Sequence, residues 1–302
     1  MSTADLTTVP AAAPVTGTAP SPARAWLRLL RSEFRLVFCR RRNLALLAVA
    51  GLIPVMTGIA LRLAAPPPNG GGGPGGNGGG PPFLDQVAGN GVFLAFLALT
   101  VMLTLVLPLV VAVPAGDSIA GEAGYGTLRY LLAVPAGRTR LLGIKYLTVV
   151  TFGLCATTVI TAVSLIMGAI LFPVGPVTLL SGTTVSLAAG LLRVLLVALY
   201  VSAAMAALAA VGMAISTFTE HAIGAIAAVA VLTVASEVAD NVPQFASVQP
   251  YLPTHWWNSF DSLLRTPIDT TTLLHGLLSF AVYIAIFGAV AWARFTSGDI
   301  TS

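Results

Sequence analysis

Charged residues are scarce in this sequence. Only 9% of its 302 residues are Asp, Glu, Lys or Arg, whereas 56% are hydrophobic and the mean hydropathy is +0.90. A soluble domain carries roughly 25% charged residues. A water-soluble fold of this length cannot bury so much apolar surface, so the sequence predicts an integral membrane protein.

Residues suited to catalysis or metal binding are also few. The three histidines, His221, His255 and His275, fall at the edges of apolar segments, and the two cysteines, Cys39 and Cys155, show neither disulfide nor metal-ligand spacing. The motifs His-Glu-x-x-His, Gly-x-Ser-x-Gly and Gly-x-x-x-x-Gly-Lys-Ser/Thr do not occur. We therefore expect no catalytic site, no metal and no cofactor in this chain, and the energy for any work must come from another chain.

The middles of the apolar segments lack Asp, Glu, Lys, Arg and His. Arg62, Arg193, Glu237 and Asp240 lie near segment ends, where long side chains reach water at little cost. Carriers driven by protons or ions keep charged groups near the middle of the membrane. The pattern argues against a carrier that powers itself.

Apolar segments dominate what is present. Six are long enough to span a membrane: 44–63, 92–113, 146–172, 187–218, 222–238 and 273–292. We expect residues 1–22 to form a disordered tail and the Gly/Pro-rich residues 66–82 to form a flexible extracellular loop. Residues 239–271 contain the pair Trp256-Trp257, typical of a membrane interface, and can return partway into the membrane.

A basic amphipathic helix is predicted over residues 23–42. Its arginines recur every three or four residues, and its apolar side chains form a second stripe. The residues concerned are Arg24, Arg28, Arg31 and Arg35, and Trp26, Leu27, Leu30, Phe34 and Val37. This pattern indicates a helix lying in the membrane interface. Glu33 falls near its apolar side, either pairing with Arg40 or a protein partner or reaching back to water.

The distribution of basic residues predicts the orientation. Twelve of the fifteen Lys and Arg residues fall on one side if there are six spans: Arg24, Arg28, Arg31, Arg35, Arg40, Arg41, Arg42, Arg129, Arg138, Arg140, Lys145 and Arg294. The other side holds only Arg62, Arg193 and Arg265. By the positive-inside rule, both termini of this multi-pass protein of the cytoplasmic (inner) membrane are cytoplasmic. The net charge of +4 therefore needs no nucleic-acid partner.

Residues 117–146 form a polar segment of roughly thirty residues between the second and third spans. Asp117 or Ser118 can cap a short helix, and Glu122 and Arg129, seven residues apart, share one of its faces. Two interpretations are open at this point. The segment is either a short amphipathic helix that passes a push from a soluble partner into the bundle, or a basic surface loop that obeys the positive-inside rule.

The same segment resembles the loop between the second and third spans in permease subunits of type-2 ABC (ATP-binding-cassette) transporters. The matching residues follow the family's order: Glu122, Gly126-Thr127, Leu131-Leu132, Pro135, Arg138 and Gly143-Ile144-Lys145. The helix over 23–42 is similar to the family's elbow helix, and the short end over 295–302 is similar as well. The resemblance covers about residues 23–302. The Gly/Pro-rich loop departs from it and argues against a large folded domain between the first two spans.

The resemblance implies a fold and a role. The fold is an all-α integral membrane protein with six transmembrane helices, an elbow helix before them and a short cytoplasmic coupling helix between spans two and three. The role is that of a transport subunit, usually for export, driven by MgATP bound to a separate ATPase subunit. It also implies a second permease copy, identical or related, and contact with membrane lipid.

The resemblance further implies two sets of functional residues. Those coupling to the ATPase are Asp117, Glu122, Gly126, Thr127, Arg129, Arg138 and Lys145. Those of the elbow helix are Arg24, Trp26, Arg28, Arg31, Glu33, Phe34 and Arg35. We expect Arg138, Arg140 and Lys145 to anchor the loop at the lipid surface or on the partner.

Other function classes remain as alternatives. A secondary carrier without an ATPase would transport in vesicles on an ion gradient alone. A membrane scaffold or sensor would retain a protein partner but show no substrate flux. An intramembrane enzyme has no candidate site in the sequence.

Overall fold

The computed structural model describes residues 22–64, 87, 89–124 and 137–297. Within these ranges the chain forms eight α-helices, here numbered in chain order. They are α1 (Pro22–Phe38), α2 (Arg41–Ala64), α3 (Phe93–Thr104), α4 (Val106–Gly124), α5 (Arg138–Leu171), α6 (Leu187–Ser216), α7 (Ala222–Asp240) and α8 (Thr270–Ser297). Three 3-10 helices, Pro243–Phe245, Gln249–Tyr251 and Trp257–Leu264, connect α7 to α8. The predicted tail, except for Pro22, and the predicted Gly/Pro loop over 66–82 lie outside the described residues.

Six helices are long and apolar enough to cross a membrane. They are Arg41–Leu63, Val106–Gly124, Arg138–Leu171, Leu187–Ser216, Ala222–Asp240 and Thr270–Ser297. A shorter apolar helix, Phe93–Thr104, precedes the second of them. The prediction of a predominantly helical multi-pass membrane protein is confirmed at this level.

The second span differs from its predicted form. It is interrupted at Leu105, where φ is −149° and ψ is −46°, and α4 then continues through Pro114 to Gly124. Asp117 and Ser118 lie inside α4, so the predicted start of a separate helix at either residue is wrong.

Burial explains why the helix continues past a proline. Ala115, Gly116, Ile119 and Ala120 form a buried face, and α4 packs against α6 and α7 along its length. The hydroxyl of Ser216, at the end of α6, accepts hydrogen bonds from the amides of Ile119 (3.2 Å) and Ala120 (2.8 Å). The same hydroxyl donates to the carbonyl of Gly116 at 2.8 Å. Tertiary packing thus outweighs the missing proline N–H donor.

The turn between α5 and α6 holds a small hairpin that the all-α prediction omits. Strands β1 (Val177–Thr178) and β2 (Thr184–Val185) pair antiparallel, with Val177 opposite Val185. Gly182 adopts a φ of +79° in the connecting turn, a conformation that glycine adopts without steric cost. Strands of two residues are too short to show the alternation of polar and apolar residues that identifies a strand. The sequence therefore predicts only a turn in this segment.

Successive spans run in alternating directions and define two ends of the bundle. At the basic end, α2, α5 and α7 begin and α4, α6 and α8 finish; Trp292 near the end of α8 donates to the Thr139 hydroxyl at 3.0 Å. The opposite end carries Arg62, Arg193 and Arg265. The helix α1 and the end of α8 lie at the same end, and the side of the membrane that this end faces stays a prediction.

Two glycines let the start of α3 cross close to the end of α5. A Cβ atom on Gly91 would overlap the carbonyl of Gly168, and a Cβ on Gly168 would overlap the carbonyl of Gly91. The amide of Gly91 donates to the carbonyl of Pro173 at 2.9 Å. This close crossing positions α3 against α5. The apolar side chains of α3, including Phe93 and Phe96, are buried in the core.

Asp269 caps the start of α8. Its carboxylate accepts hydrogen bonds from the amides of Thr271 (3.1 Å) and Thr272 (3.2 Å) and from the Thr272 hydroxyl (2.5 Å). These bonds, chiefly those from Thr272, lower the pKa of Asp269. A carboxylate at a helix N-terminus satisfies amides that have no partner within the helix.

We expect Asp269→Asn to lower the melting temperature slightly at neutral pH. A lowered folded-state pKa adds stability that is present above the unfolded pKa, near 3.9, and is lost as pH falls through the folded pKa. The difference in melting temperature between wild type and variant should therefore be constant from pH 5 to 8 and should become smaller below about pH 4. Thermal unfolding in detergent across this range measures it, and a difference that persists unchanged at pH 3 would contradict the assignment.

Candidate functional site: a buried ion-pair cluster at the basic end

The helix α1 packs on the bundle through its apolar side. Phe38 meets Phe152 of α5 edge-on, with ring centroids 5.4 Å apart, and Phe34 stacks on Phe38. Arg28, Arg31 and Arg35 are exposed on the other side. The amphipathic pattern therefore determines which face of α1 is buried, while its predicted position in a membrane interface stays a prediction.

Glu33 points into the bundle and pairs with Lys145. The carboxylate is only 5% exposed, and its oxygens lie 3.2 and 3.3 Å from the Lys145 Nζ atom. Glu33 thus neither pairs with Arg40 nor reaches back to water, as two of the sequence-based alternatives held. The reason is geometric: its position near the apolar side of α1 faces α5, where a lysine is buried.

Lys145 also binds Glu122, which joins three helices at one point. Its Nζ lies 2.6 Å from Glu122 Oε1, and the lysine side chain is 3% exposed. Lys145 belongs to α5, which begins at Arg138 and not at the predicted residue 146. Lys145 therefore does not lie on a loop surface, contrary to the anchoring role expected for it. We call Glu33, Glu122 and Lys145 the buried triad.

A second ion-pair group lies beside the triad. Asp117 on α4 binds Arg40 and also Arg42, whose Nη2 lies 3.1 Å from the carboxylate. Asn43, 1% exposed, donates from Nδ2 to the carbonyl of Val37 at 2.8 Å and so fixes the turn between α1 and α2. Both groups border a cavity of about 40 Å³, which has room for at least one water molecule.

In a folded protein, buried ion pairs of this kind strongly resist separation of the helices that they join. Removing one partner from a buried pair costs about 3–5 kcal/mol, because the remaining charge stays buried without compensation. The triad carries one positive and two negative charges, and the two groups together carry three of each sign in Glu33, Asp117, Glu122, Arg40, Arg42 and Lys145. These ion pairs link the ends of α1, α2, α4 and α5 at the basic end of the bundle.

The predicted coupling and elbow residues meet here in part. Asp117, Glu122 and Lys145 converge in the two groups, and Arg138 lies at the same end, donating to the carbonyl of Thr296 at 2.9 Å. Gly126, Thr127 and Arg129 lie outside the described residues, as does the side chain of Arg24. Whether 125–136 forms a coupling helix therefore stays a prediction.

Sequence reasoning missed Arg40, Arg42 and Asn43 as members of the site. Arg40 and Arg42 are indistinguishable in sequence from Arg41, which is exposed and makes no ion pair among the described residues. One signal was available for the triad, since a glutamate beside an apolar stripe needs a buried cation. The identity of that cation, 112 residues away along the chain, depends on the fold.

The histidines take no part in this site. His221 precedes α7 at the basic end, whereas His255 pairs with Asp240 at 2.5 Å near the opposite end. The ring of Trp256 lies between His255 and His275, at centroid distances of 4.8 and 5.7 Å. Among the residues that the structure describes, no three His, Cys, Asp or Glu side chains are placed to hold a metal ion.

A comparison with protein-family models assigns the chain to a family. A family model described as a protein of unknown function, DUF2705, matches residues 75–301. The chain belongs to the DUF2705 family. The DUF2705 match contains Glu122 and Lys145 but begins after Glu33, so it takes in two of the three triad members. No curated protein matches the chain.

Proposed function

We propose that this chain is the membrane-spanning permease subunit of an ABC-type exporter. A separate ATPase subunit binds and hydrolyses MgATP, and a second permease copy, identical or related, completes the path. The observation that carries the proposal is the buried triad, which ties the predicted elbow helix to both helices that flank residues 125–136. That segment is the one whose residues resemble the loop gripped by the ATPase in this class of transporter.

The geometry supports transmission of force from that segment. Residues 125–136 enter from Gly124 at the end of α4 and leave through Gly137 just before α5. Glu122 lies three residues before the segment and shares Lys145 with Glu33. Because breaking these contacts is costly, a push on the segment or on α1 displaces the ends of α1, α4 and α5 together.

The displacement can continue into the bundle along α4. Its last turns are bonded to the end of α6 by Ser216, and α4 also packs against α7. Among the spans, α6 is central, with extensive packing against α4, α5 and α8. Such chains of packed helices with two arrangements are the physical basis of switching between inward- and outward-facing states.

We expect Glu122→Gln to leave the protein folded and inserted but to weaken coupling. Glutamine keeps the shape and removes one of the two carboxylates on Lys145, while Glu33 still compensates the lysine. Coupling energies of about 1–3 kcal/mol lead us to expect about a ten-fold fall in the permease-dependent stimulation of the ATPase. Reconstituted vesicles with the partner ATPase and MgATP measure it.

Glu220→Gln is the matched control. Glu220 is an exposed carboxylate at the same end, in the turn between α6 and α7. It should leave stimulation unchanged. Equal stimulation by wild type and Glu122→Gln, with equal amounts of inserted protein, would contradict the coupling role.

The same vesicles separate the other function classes. A secondary carrier would move substrate on an ion gradient with the ATPase omitted. A scaffold or sensor would bind a partner without substrate flux. Purification from native membranes of a partner chain with Gly-x-x-x-x-Gly-Lys-Ser/Thr supports the proposal, and flux that needs no nucleotide would refute it.

A further inference from the structure

We propose that the groove beside the turn between α1 and α2 binds an anionic phospholipid, with its phosphate on Arg35 and an acyl chain on Leu36. The inference concerns lipid and not the ATPase, so it stands independently of the proposed function. It assigns a ligand class to one place on the basic face of α1.

The groove is open and has an apolar floor. It has a volume of about 480 Å³ and is lined by Ser32, Arg35, Leu36, Cys39 and Arg40. Leu36 is 50% exposed there. A head group alone would leave this leucine in water, whereas a lipid covers it with an acyl chain.

The charges of the described residues around the groove favour an anionic ligand. Glu33, the single acidic residue of α1, is turned into the bundle toward Lys145. Arg40 is compensated by Asp117. Arg35 lines the groove with an exposed side chain and makes no ion pair within the described ranges. A guanidinium matches a phosphate with two parallel hydrogen bonds and is weakly hydrated, which favours phosphate over a diffuse counterion.

The exposed side of α1 suits a lipid better than an acidic protein. Large apolar side chains are interspersed with the arginines, since Leu27 is 57% exposed and Leu44, at the start of α2, is 50% exposed. The membrane span Arg41–Leu63 begins two residues after Cys39. The predicted interfacial position of α1 would put the groove at the depth of the lipid phosphates, where arginines reach head groups and leucines reach acyl chains.

Cys39 provides a reporter inside the groove. It is exposed, and Cys155→Ala leaves it as the single thiol. We would measure the rate at which N-ethylmaleimide alkylates Cys39 in the full chain, in micelles containing phosphatidylcholine alone or with added phosphatidylglycerol. Phosphatidylglycerol should slow alkylation. Arg35→Gln should raise the concentration needed for half-protection about five-fold, the effect of one basic residue at an anionic surface.

Arg62→Gln is the matched control, because Arg62 is an exposed arginine at the other end of α2. It should leave protection unchanged. Glycerol phosphate, which lacks acyl chains, should not protect at the same concentration.

Three results would overturn the proposal: no preference for phosphatidylglycerol, equal protection in wild type and Arg35→Gln, or equal protection by glycerol phosphate. Protection by an added acidic protein partner but not by lipid would assign the groove to that partner and also reject the lipid. No ATPase is present, so failure here leaves the proposed function intact.

Discussion

Replacing Lys145 by methionine is expected to lower the free energy of unfolding by about 3–5 kcal/mol, the cost of leaving a buried charge without its partner. Methionine fills a similar volume but leaves Glu33 and Glu122 facing each other with no cation between them. Glu33 is 5% exposed, so water cannot readily replace the lysine. Unfolding by SDS titration, followed by tryptophan fluorescence, measures the loss.

A triple variant tests whether charge is the cause. Glu33→Leu/Lys145→Met/Glu122→Leu removes all three charges and should recover most of the lost stability, because replacing a complete buried ion-pair group by hydrophobic residues of similar volume is often close to neutral. Arg41→Gln, a nearby exposed arginine, should change stability by less than about 0.5 kcal/mol. A Lys145→Met protein as stable as wild type would show that the triad does not hold α1 to the bundle.

Gly168→Ala is expected to destabilise the protein by about 3 kcal/mol, at the upper end for overpacking in a core. Its new methyl group would overlap the carbonyl of Gly91, which belongs to rigid backbone and cannot rotate away as a side chain could. The two backbones would have to move apart, and α3 would lose its close packing against α5. The same SDS titration measures the effect.

Gly143→Ala, on the same helix, is the control. A Cβ atom there meets nothing within 4 Å, so alanine should be neutral or slightly stabilising. If both alanine variants behaved alike, the close crossing of α3 and α5 would not be a determinant of the fold.

Hydrophobic segments allowed the spans to be predicted from sequence, because each must satisfy its backbone internally and present apolar side chains over the membrane thickness. Their ends were less predictable. Proline and polar residues suggested an end near residue 113, yet α4 reaches Gly124 because its small buried residues pack against α6 and α7. Lys145 likewise looked like a loop residue, since nothing local shows that a lysine will be buried against two glutamates.

Only some residues of the candidate site could be predicted from the sequence, because the others depend on contacts between distant parts of the chain. Asp117, Glu122 and Lys145 could be placed near one another by the turn between two spans, whereas Glu33 joins them across 112 residues. Contacts between residues so far apart in the chain depend on how α1 folds back onto α5. The periodicity of a single helix shows which of its faces is apolar but not which other helix that face contacts. Arg40 and Arg42, and not Arg41, reach Asp117 at the turn between α1 and α2, where Asn43 bonds to the carbonyl of Val37.

The hydroxyl of Ser216 gives α4 a bonded contact about which the helix could tilt as a lever. Three hydrogen bonds to the main chain at Gly116, Ile119 and Ala120 oppose sliding and axial rotation, so tilting about this point is the motion that keeps them. At 1.5 Å per residue, the arm from Ile119 to Gly124 is about 7 Å and the arm from Gly116 back to Val106 is about 15 Å. A displacement applied at Gly124 would therefore be roughly doubled, and reversed in direction, at the far end of the helix beside Leu105.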